Sequence, residues 1–185
     1  MTLDAANARI FGSDDDKVQL GPLGSTLPTA LGAVDPALLD VGWLHTDGIP
    51  FTPSDSVEKL RGHQGGRVVR TTITESDLTF QFQCLETTAL TLGLQHNITS
   101  AATATGVTTM NASPGRQVEA RAFVLDLYDK DNTDIHYRYV IPRGEIGERA
   151  EFTHANSDIT GYTFNVEIIG SYDIITNDPA AAVAP

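Results

Sequence analysis

Residues 78–86 carry the pattern that decides the fold class: Leu78-Thr79-Phe80-Gln81-Phe82-Gln83-Cys84-Leu85-Glu86. Apolar and polar side chains alternate with period two over residues 78–84, which is typical of a β-strand that buries one face and exposes the other. The polar face consists of Thr79, Gln81 and Gln83. Cys84 is the single cysteine of the sequence and lies on the apolar face, so it is interpreted as a small buried side chain.

The residues just before this strand predict its partner. Residues 67–74 have the composition of a strand, and the polar triplet Glu75-Ser76-Asp77 is typical of a turn. Residues 67–86 are therefore predicted to form an antiparallel hairpin. A two-stranded ribbon exposes unpaired edges, which natural proteins normally protect from unwanted pairing.

The rest of the chain predicts an all-β fold with one short helix. Further strands are expected over residues 117–128, 134–142 and 160–169, and a short helix over residues 87–94, while residues 98–114 are interpreted as a loop or an irregular strand. The 22 threonines support this fold class, because β-branched side chains suit a pleated surface.

The distribution of glycine, proline and charge predicts one domain with extensions. Residues 1–40 contain several chain breakers and an acidic run, and are interpreted as an N-terminal arm. The domain is expected over residues 41–176, including a long loop at residues 45–66, and residues 177–185 are expected to be a flexible tail. The arm and the loop are expected to be mobile in a free subunit and ordered by a partner.

Charge and hydropathy exclude several functional classes. The chain of 185 residues has 24 acidic and 12 basic residues, a net charge of −12, so tight binding of bare nucleic acid is not expected. No apolar run approaches the roughly 18 residues of a membrane span, so no membrane insertion is expected. The first residues also lack the pattern of a signal peptide.

Motifs for catalysis, cofactors and metals are not found in the sequence. The phosphate-binding, acyl-transfer and zinc-binding signatures are missing, and the five histidines are widely spaced. Residues 129–134 resemble the start of a calcium loop but have Asp where that loop needs Gly, so they are interpreted as a polar turn. We therefore predict that the chain is not an enzyme and has no catalytic, cofactor-binding or metal-binding residues.

The order of several short segments resembles one known family. The succession of segments runs through Gly42-Trp43-Leu44-His45-Thr46-Asp47-Gly48-Ile49, Lys59-Leu60-Arg61-Gly62-His63-Gln64-Gly65-Gly66, Val68-Val69-Arg70-Thr71 and Leu78-Thr79-Phe80-Gln81-Phe82-Gln83-Cys84-Leu85-Glu86-Thr87. This order resembles the major tail tube proteins of long-tailed, siphovirus-type bacteriophages, particularly those of actinobacterial hosts. The match covers roughly residues 41–95, and no single segment in it is specific.

The resemblance implies a fold, an assembly and a location. The family's fold is a β-sandwich or barrel with a flanking helix, related to the tube protein of type VI secretion systems, and its subunits form hexameric rings that stack into a hollow tube. The implied partners are other copies of the chain and other tail proteins (tape measure, tail terminator and distal tail protein), while genome DNA passes through without specific binding. The protein would be assembled in the host cytoplasm and reside in the virion tail.

Two sets of residues receive roles from this resemblance. Long hairpins of neighbouring subunits join in the family's tube wall, so contacts between subunits are expected at Arg70, Thr72, Thr74, Glu75 and Asp77. The polar face of residues 78–84 would then line the channel through Thr79, Gln81 and Gln83. Neutral or acidic walls suit DNA transport, because they do not hold phosphates.

A second interpretation stays open at the level of sequence. The chain could be a different β-sandwich component of a virion, such as a tail terminator or a head–tail connector, or a carbohydrate-binding module. A carbohydrate-binding module needs exposed aromatic side chains in a groove. The aromatic residues here fall mostly on alternating positions that are typical of a core.

Overall fold

The computed structural model describes residues 7–182. Within these residues the chain forms ten β-strands, one α-helix and a short 3₁₀ turn at Pro179–Ala181. The strands and the helix are β1 (Lys17–Pro22), β2 (Leu39–Asp40), β3 (Phe51–Arg61), β4 (Val68–Cys84), α1 (Ala89–Gln95), β5 (Asn97–Ala104), β6 (Val107–Ser113), β7 (Glu119–Tyr128), β8 (His136–Arg149), β9 (Tyr162–Ile168) and β10 (Asp173–Thr176). The all-β prediction is confirmed. No helix in this part of the chain is long and apolar enough to span a membrane.

Eight of the strands form one antiparallel sheet in the order β2-β1-β7-β8-β9-β4-β3, with β10 paired to β8. The sheet curls so that distant strands face each other. Strands β4 and β7 are separated by β8 and β9 in the sheet, yet the ring of Phe123 on β7 lies 5.4 Å from Phe80 and 6.3 Å from Phe82, centre to centre. Strands β5 and β6 form a separate two-stranded sheet.

The core lies on the concave side of this curled sheet. It is built from the alternating apolar residues of β1, β4, β7, β8 and β9, together with Leu94 from α1. Phe80, Phe82 and Cys84 are buried as the alternation predicts. Burial raises the pKa of the Cys84 thiol to about 12, so the thiol remains protonated at neutral pH and packs as an apolar group.

The predicted hairpin over residues 67–86 is wrong. Residues Val68–Cys84 form one continuous strand, and its partner is β3, which lies in the segment interpreted as a long loop. The predicted turn is part of the strand: Glu75 pairs with Ser56, and Ser76 Oγ donates a hydrogen bond of 2.6 Å to Asp55 Oδ1. Cross-strand hydrogen bonds hold this polar triplet extended, although its composition favours a turn.

The real turn lies at the glycine-rich residues 62–67. The backbone N–H of Gly62 donates to the carbonyl of Arg67 and closes the connection. Gly65 and Gly66 have φ values of +71° and +61°, a region of backbone space that glycine occupies without steric cost. This pair of glycines was the sequence signal for the hairpin.

The N-terminal region is more than an arm. Residues 17–22 form β1, which lies between β2 and β7 and contributes buried Val18 and Leu20 to the core. The predicted boundary at residue 40 therefore does not separate an arm from the body at these positions. A single short strand with breakers on both sides gave too little periodicity to be recognised in the sequence.

Buried ion pairs anchor the two ends of the described chain. Arg138 donates from Nε to Asp126 Oδ1 (2.5 Å) and from Nη1 to the carbonyls of Ala30 and Gly32 (2.7 Å each). Arg9 forms a bidentate pair with Asp178, at 2.7 and 2.8 Å. Part of the predicted flexible tail, residues 177–182, is thus tied to the body, while residues 183–185 and residues 1–6 of the predicted arm lie outside the described residues.

The remaining predictions of secondary structure hold with shifted bounds. The predicted helix at residues 87–94 is α1, and Thr88 caps it by accepting from the backbone N–H of Thr91. The predicted strands at residues 117–128, 134–142 and 160–169 correspond to β7, β8 and β9, although β8 continues to Arg149. Residues 98–114, which were interpreted as a loop or an irregular strand, correspond to the β5–β6 hairpin.

Candidate assembly surfaces

The β3–β4 hairpin projects from the sheet as a two-stranded ribbon. Strand β4 pairs with β9 only over residues 79–84, and beyond this base its remaining residues pair with β3 alone. We call residues 54–77 the hairpin extension. Within residues 7–182, both outer edges of the extension lack a neighbouring strand. Backbone groups at such edges are free to pair with another chain.

Apolar side chains are exposed along the extension. Five of the fifteen large hydrophobic residues that are exposed in the described chain lie here: Val57, Leu60, Val68, Val69 and Ile73. Val57 lies directly opposite Ile73, and the two side chains are 50% and 60% exposed. Contiguous exposed apolar groups are typical of surfaces that contact another protein.

The five residues assigned to contacts between subunits all lie on the extension and are all exposed. Arg70, Thr72, Glu75 and Asp77 lie opposite Leu60, Glu58, Ser56 and Ser54 of β3. Thr74 occupies a bulge and donates from Oγ1 to the carbonyl of Ser56 at 3.2 Å. That these residues contact another subunit stays a prediction. Sequence reasoning missed the contribution of β3, because it interpreted residues 45–66 as a loop.

The polar face at the base of β4 continues across the neighbouring strands. Thr79, Gln81 and Gln83 are paired in register with the β9 residues Glu167, Asn165 and Thr163, and Glu167 is paired with Glu145 of β8. Gln81 Nε2 donates to Asn165 Oδ1 at 2.7 Å. Arg143 Nε donates to Glu145 Oε1 at 2.9 Å, so this cation is already neutralised. The face is polar, with carboxylates but no unpaired cation among these residues.

Two observations bear on metal and acid–base sites among the described residues. No group of three or more His, Cys, Asp or Glu side chains in this part of the chain is arranged to hold a metal ion. His136 and Asp126 form a close pair, 2.7 Å from Nε2 to Oδ1, but both are buried and the same carboxylate binds Arg138. The pair therefore belongs to a buried cluster of charged groups.

Comparison with known proteins decides the family. The sequence profile of one family, described as phage tail tube protein, matches residues 1–174. The chain belongs to the phage tail tube protein family. As a tail tube protein it is a structural component of the virion tail. The predicted actinobacterial host stays a prediction.

Curated proteins and solved structures give two further findings. No curated protein matches this tail tube protein. Among solved structures, it is similar to a chain in the tail of an empty GTA particle computed with helical refinement and C6 symmetry. The two chains are 7% identical, the alignment covers 88% of this chain and 96% of the other, and the TM-score is 0.43.

Proposed function

We propose that this tail tube protein assembles into six-membered rings that stack into a hollow tube, and that the hairpin extension builds the wall of that tube. The observation that carries the proposal is the ribbon at residues 54–77, which has two unpaired edges and five exposed apolar side chains. The number of subunits in a ring comes from the family resemblance.

Ring closure would pair the open edges of the ribbon and cover its exposed apolar side chains. In a ring of identical contacts, an edge of one extension meets an edge of its neighbour, and rotation closes the series. The backbone groups then gain hydrogen bonds, while Val57 and Ile73 lose contact with water. Burial of apolar surface contributes about 25 cal/mol per Å², so the gain grows with every residue of the ribbon.

The polar face at the base of β4 suits the channel side of this wall. Thr79, Gln81 and Gln83 would face the lumen together with Glu145 and Glu167. Arg143 neutralises Glu145, but phosphates within a Debye length of the Glu167 carboxylate, about 8 Å at physiological salt, would be repelled rather than held. DNA could therefore slide through the tube without specific binding. The tape measure, tail terminator and distal tail protein remain proposed partners, and the chain is proposed to have no catalytic activity.

A shortened hairpin tests the proposal. Replacing residues 57–74 with an Asn-Gly turn joins Ser56 to Glu75 and removes most of the extension, but it keeps every pair between β4 and β9. We expect a folded subunit that forms neither rings nor tubes in negative-stain micrographs.

The β5–β6 hairpin supplies the matched control. Val107 is 66% exposed there, and Val107→Thr should leave tube formation unchanged. Wild-type tubes from the shortened variant would contradict the assignment of the extension to the wall. Compact monomers of the wild-type protein, under all conditions tried, would contradict the proposed assembly.

A further inference from the structure

An acidic and apolar groove lies beside the start of the hairpin. It has a volume of about 580 Å³ and is formed by residues 11–17, residues 40–49 and Glu86. Apolar lining comes from Phe11, Trp43 and Ile49, among others. The charged lining residues are Asp14, Asp16, Asp40, Glu86 and Lys17. Carboxylates therefore outnumber cations in the groove by four to one.

The backbone holds Trp43 outward in this groove. Gly42 has a φ of +83°, and a Cβ atom at this position would come within 2.4 Å of the Glu86 carboxylate. Asp40 Oδ1 accepts from the N–H of Gly42, and Glu86 Oε1 accepts from the N–H of Trp43, each at 3.0 Å. The turn is thus fixed by two carboxylates, and it leaves the indole 68% exposed. An exposed tryptophan on a fixed backbone is typical of an anchor for another protein.

The tip of the hairpin is basic and apolar, and therefore complements the acidic and apolar groove. We define the tip as residues 59–70, which contain four of the chain's twelve Lys and Arg residues and no acidic residue. The cations are Lys59, Arg61, Arg67 and Arg70. None of them forms an ion pair with a carboxylate within residues 7–182. Leu60, Val68 and Val69 are exposed between them, Val69 by 75%.

A tip cannot reach the groove of its own chain. Leu44 in the groove forms a bridge with Cys84, at the far end of β4 from the tip. Arg70, the last tip residue on β4, and Cys84 are 14 residues apart, or roughly 46 Å at about 3.3 Å per residue. On the β3 side, the groove residue Ile49 and the tip residue Lys59 are ten residues apart, or roughly 33 Å at the same rise. The radius of gyration of a compact domain of this length is only about 16 Å. The tip therefore projects beyond the body, and its counterpart must belong to another molecule.

We propose that the tip of one copy docks in the Trp43 groove of another copy in the assembled tube. Arginines of the tip pair with the groove carboxylates, and their guanidinium planes or the adjacent valines cover the indole. This contact rests on the proposed function, because it presumes assembly, but it is separate from the pairing of hairpin edges in the wall. The proposed contact gives a role to the tip at one end of β4 and to the Trp43 groove at the other end.

The single tryptophan of the sequence reports on this contact directly. If a tip covers Trp43, its fluorescence emission should shift to shorter wavelength when wild-type subunits assemble. Lys59→Glu/Arg67→Glu reverses the charge of the tip at exposed residues that are not assigned to the wall, and Asp14→Lys reverses an exposed groove carboxylate that fixes no backbone group. The tip changes should raise the critical concentration for tube formation by about tenfold, equivalent to about 1.4 kcal/mol, and Asp14→Lys should raise it too. All three changes in one chain should bring it back toward the wild-type value.

The outcomes separate the docking from the proposed function. The tip residues are exposed, so the tip variant should fold like the wild type, and circular dichroism checks this. Wild-type tubes without a fluorescence shift would overturn the docking while the proposed assembly stands. Tubes from both reversed variants at the wild-type critical concentration would do the same. Failure of the wild-type protein to assemble at all would instead contradict the proposed function.

Discussion

The two halves of β4 differ in what surrounds them, although they are one strand. At its base, Phe80, Phe82 and Cys84 are buried on one face and three polar residues occupy the other. Along the extension, residues 68–77 are exposed on both faces. The base belongs to the fold of a single subunit, while the extension has no core to join. Under the proposed function, this chain carries its folding information and its assembly information on separate stretches of the same strand.

Truncating one apolar side chain in each half of β4 tests whether only the base is packed in the free subunit. Phe82→Ala leaves a cavity among Phe80, Phe123 and Phe164, and should lower the free energy of unfolding by about 3–5 kcal/mol. Ile73→Ala on the extension should change it by less than about 1 kcal/mol, because the side chain is already 60% exposed. Urea denaturation of unassembled subunits measures both. Equal losses would show that the extension is packed within the free subunit.

Low pH should lower the stability of the folded subunit, because it protonates Asp178. The guanidinium of Arg9 and the hydroxyl of Tyr137 donate to this carboxylate and hold its pKa well below the usual range. A carboxylate with a lowered pKa in the folded state contributes stability above the unfolded pKa, near 4, and loses it as the pH falls further. Thermal melts from pH 7 to pH 2 should therefore show a gap between wild type and Asp178→Asn that narrows progressively as the pH falls below about 4.

Asp173→Asn is the matched control for this prediction. Asp173 lies on β10, five residues earlier, and its side chain is exposed. Its replacement should leave the melting temperature nearly unchanged at every pH. A gap between wild type and Asp178→Asn that keeps its full pH 7 size down to pH 2 would show that the carboxylate charge is not what anchors the end of the chain.

The sequence predicted the base of β4 well and the extension poorly, for one physical reason. Periodicity records burial of one face, so Phe80 and Phe82 were recognised, and so were the clean alternations of β9. Residues 54–77 bury neither face in one subunit, so no pattern distinguished β3 from a loop, and residues 67–74 were recognised as a strand only by their composition. The polar triplet at residues 75–77 was consequently misread as a turn, and the glycine pair at residues 65–66 was overlooked.

The candidate surfaces also differ in whether the sequence alone could reveal them. Thr79, Gln81 and Gln83, the residues proposed to line the channel, could be selected because they alternate with core residues, and they are less buried than Phe80, Phe82 and Cys84. The Trp43 groove could not be found from sequence, since it joins residues 11–17 to residues 40–49 and Glu86 through the fold. Its acidic character depends on that convergence, whereas the basic character of the tip is visible in the sequence.

The smallest effect on the free subunit should come from the polar face. Replacing Thr79, Gln81 and Gln83 with Lys removes no core contact, so the free energy of unfolding should change by about 1 kcal/mol or less for each substitution. Tubes should still form, but three added cations per subunit would hold DNA phosphates through counterion release. Virions carrying these changes should eject DNA more slowly in a time-resolved assay. The same three positions changed to Ser supply the control, and wild-type ejection by the Lys variant would place this face outside the channel.

Hydrogen exchange before and after assembly tests the central claim most directly. Amides of residues 79–84 pair within the subunit and should exchange slowly in both states. Amides of β3 and β4 that point outward from the extension should exchange rapidly in free subunits and slowly in tubes, because neighbouring extensions pair with them. Slow exchange of these outward amides already in the free subunit, or rapid exchange of the same amides in intact tubes, would contradict the proposed pairing of neighbouring extensions.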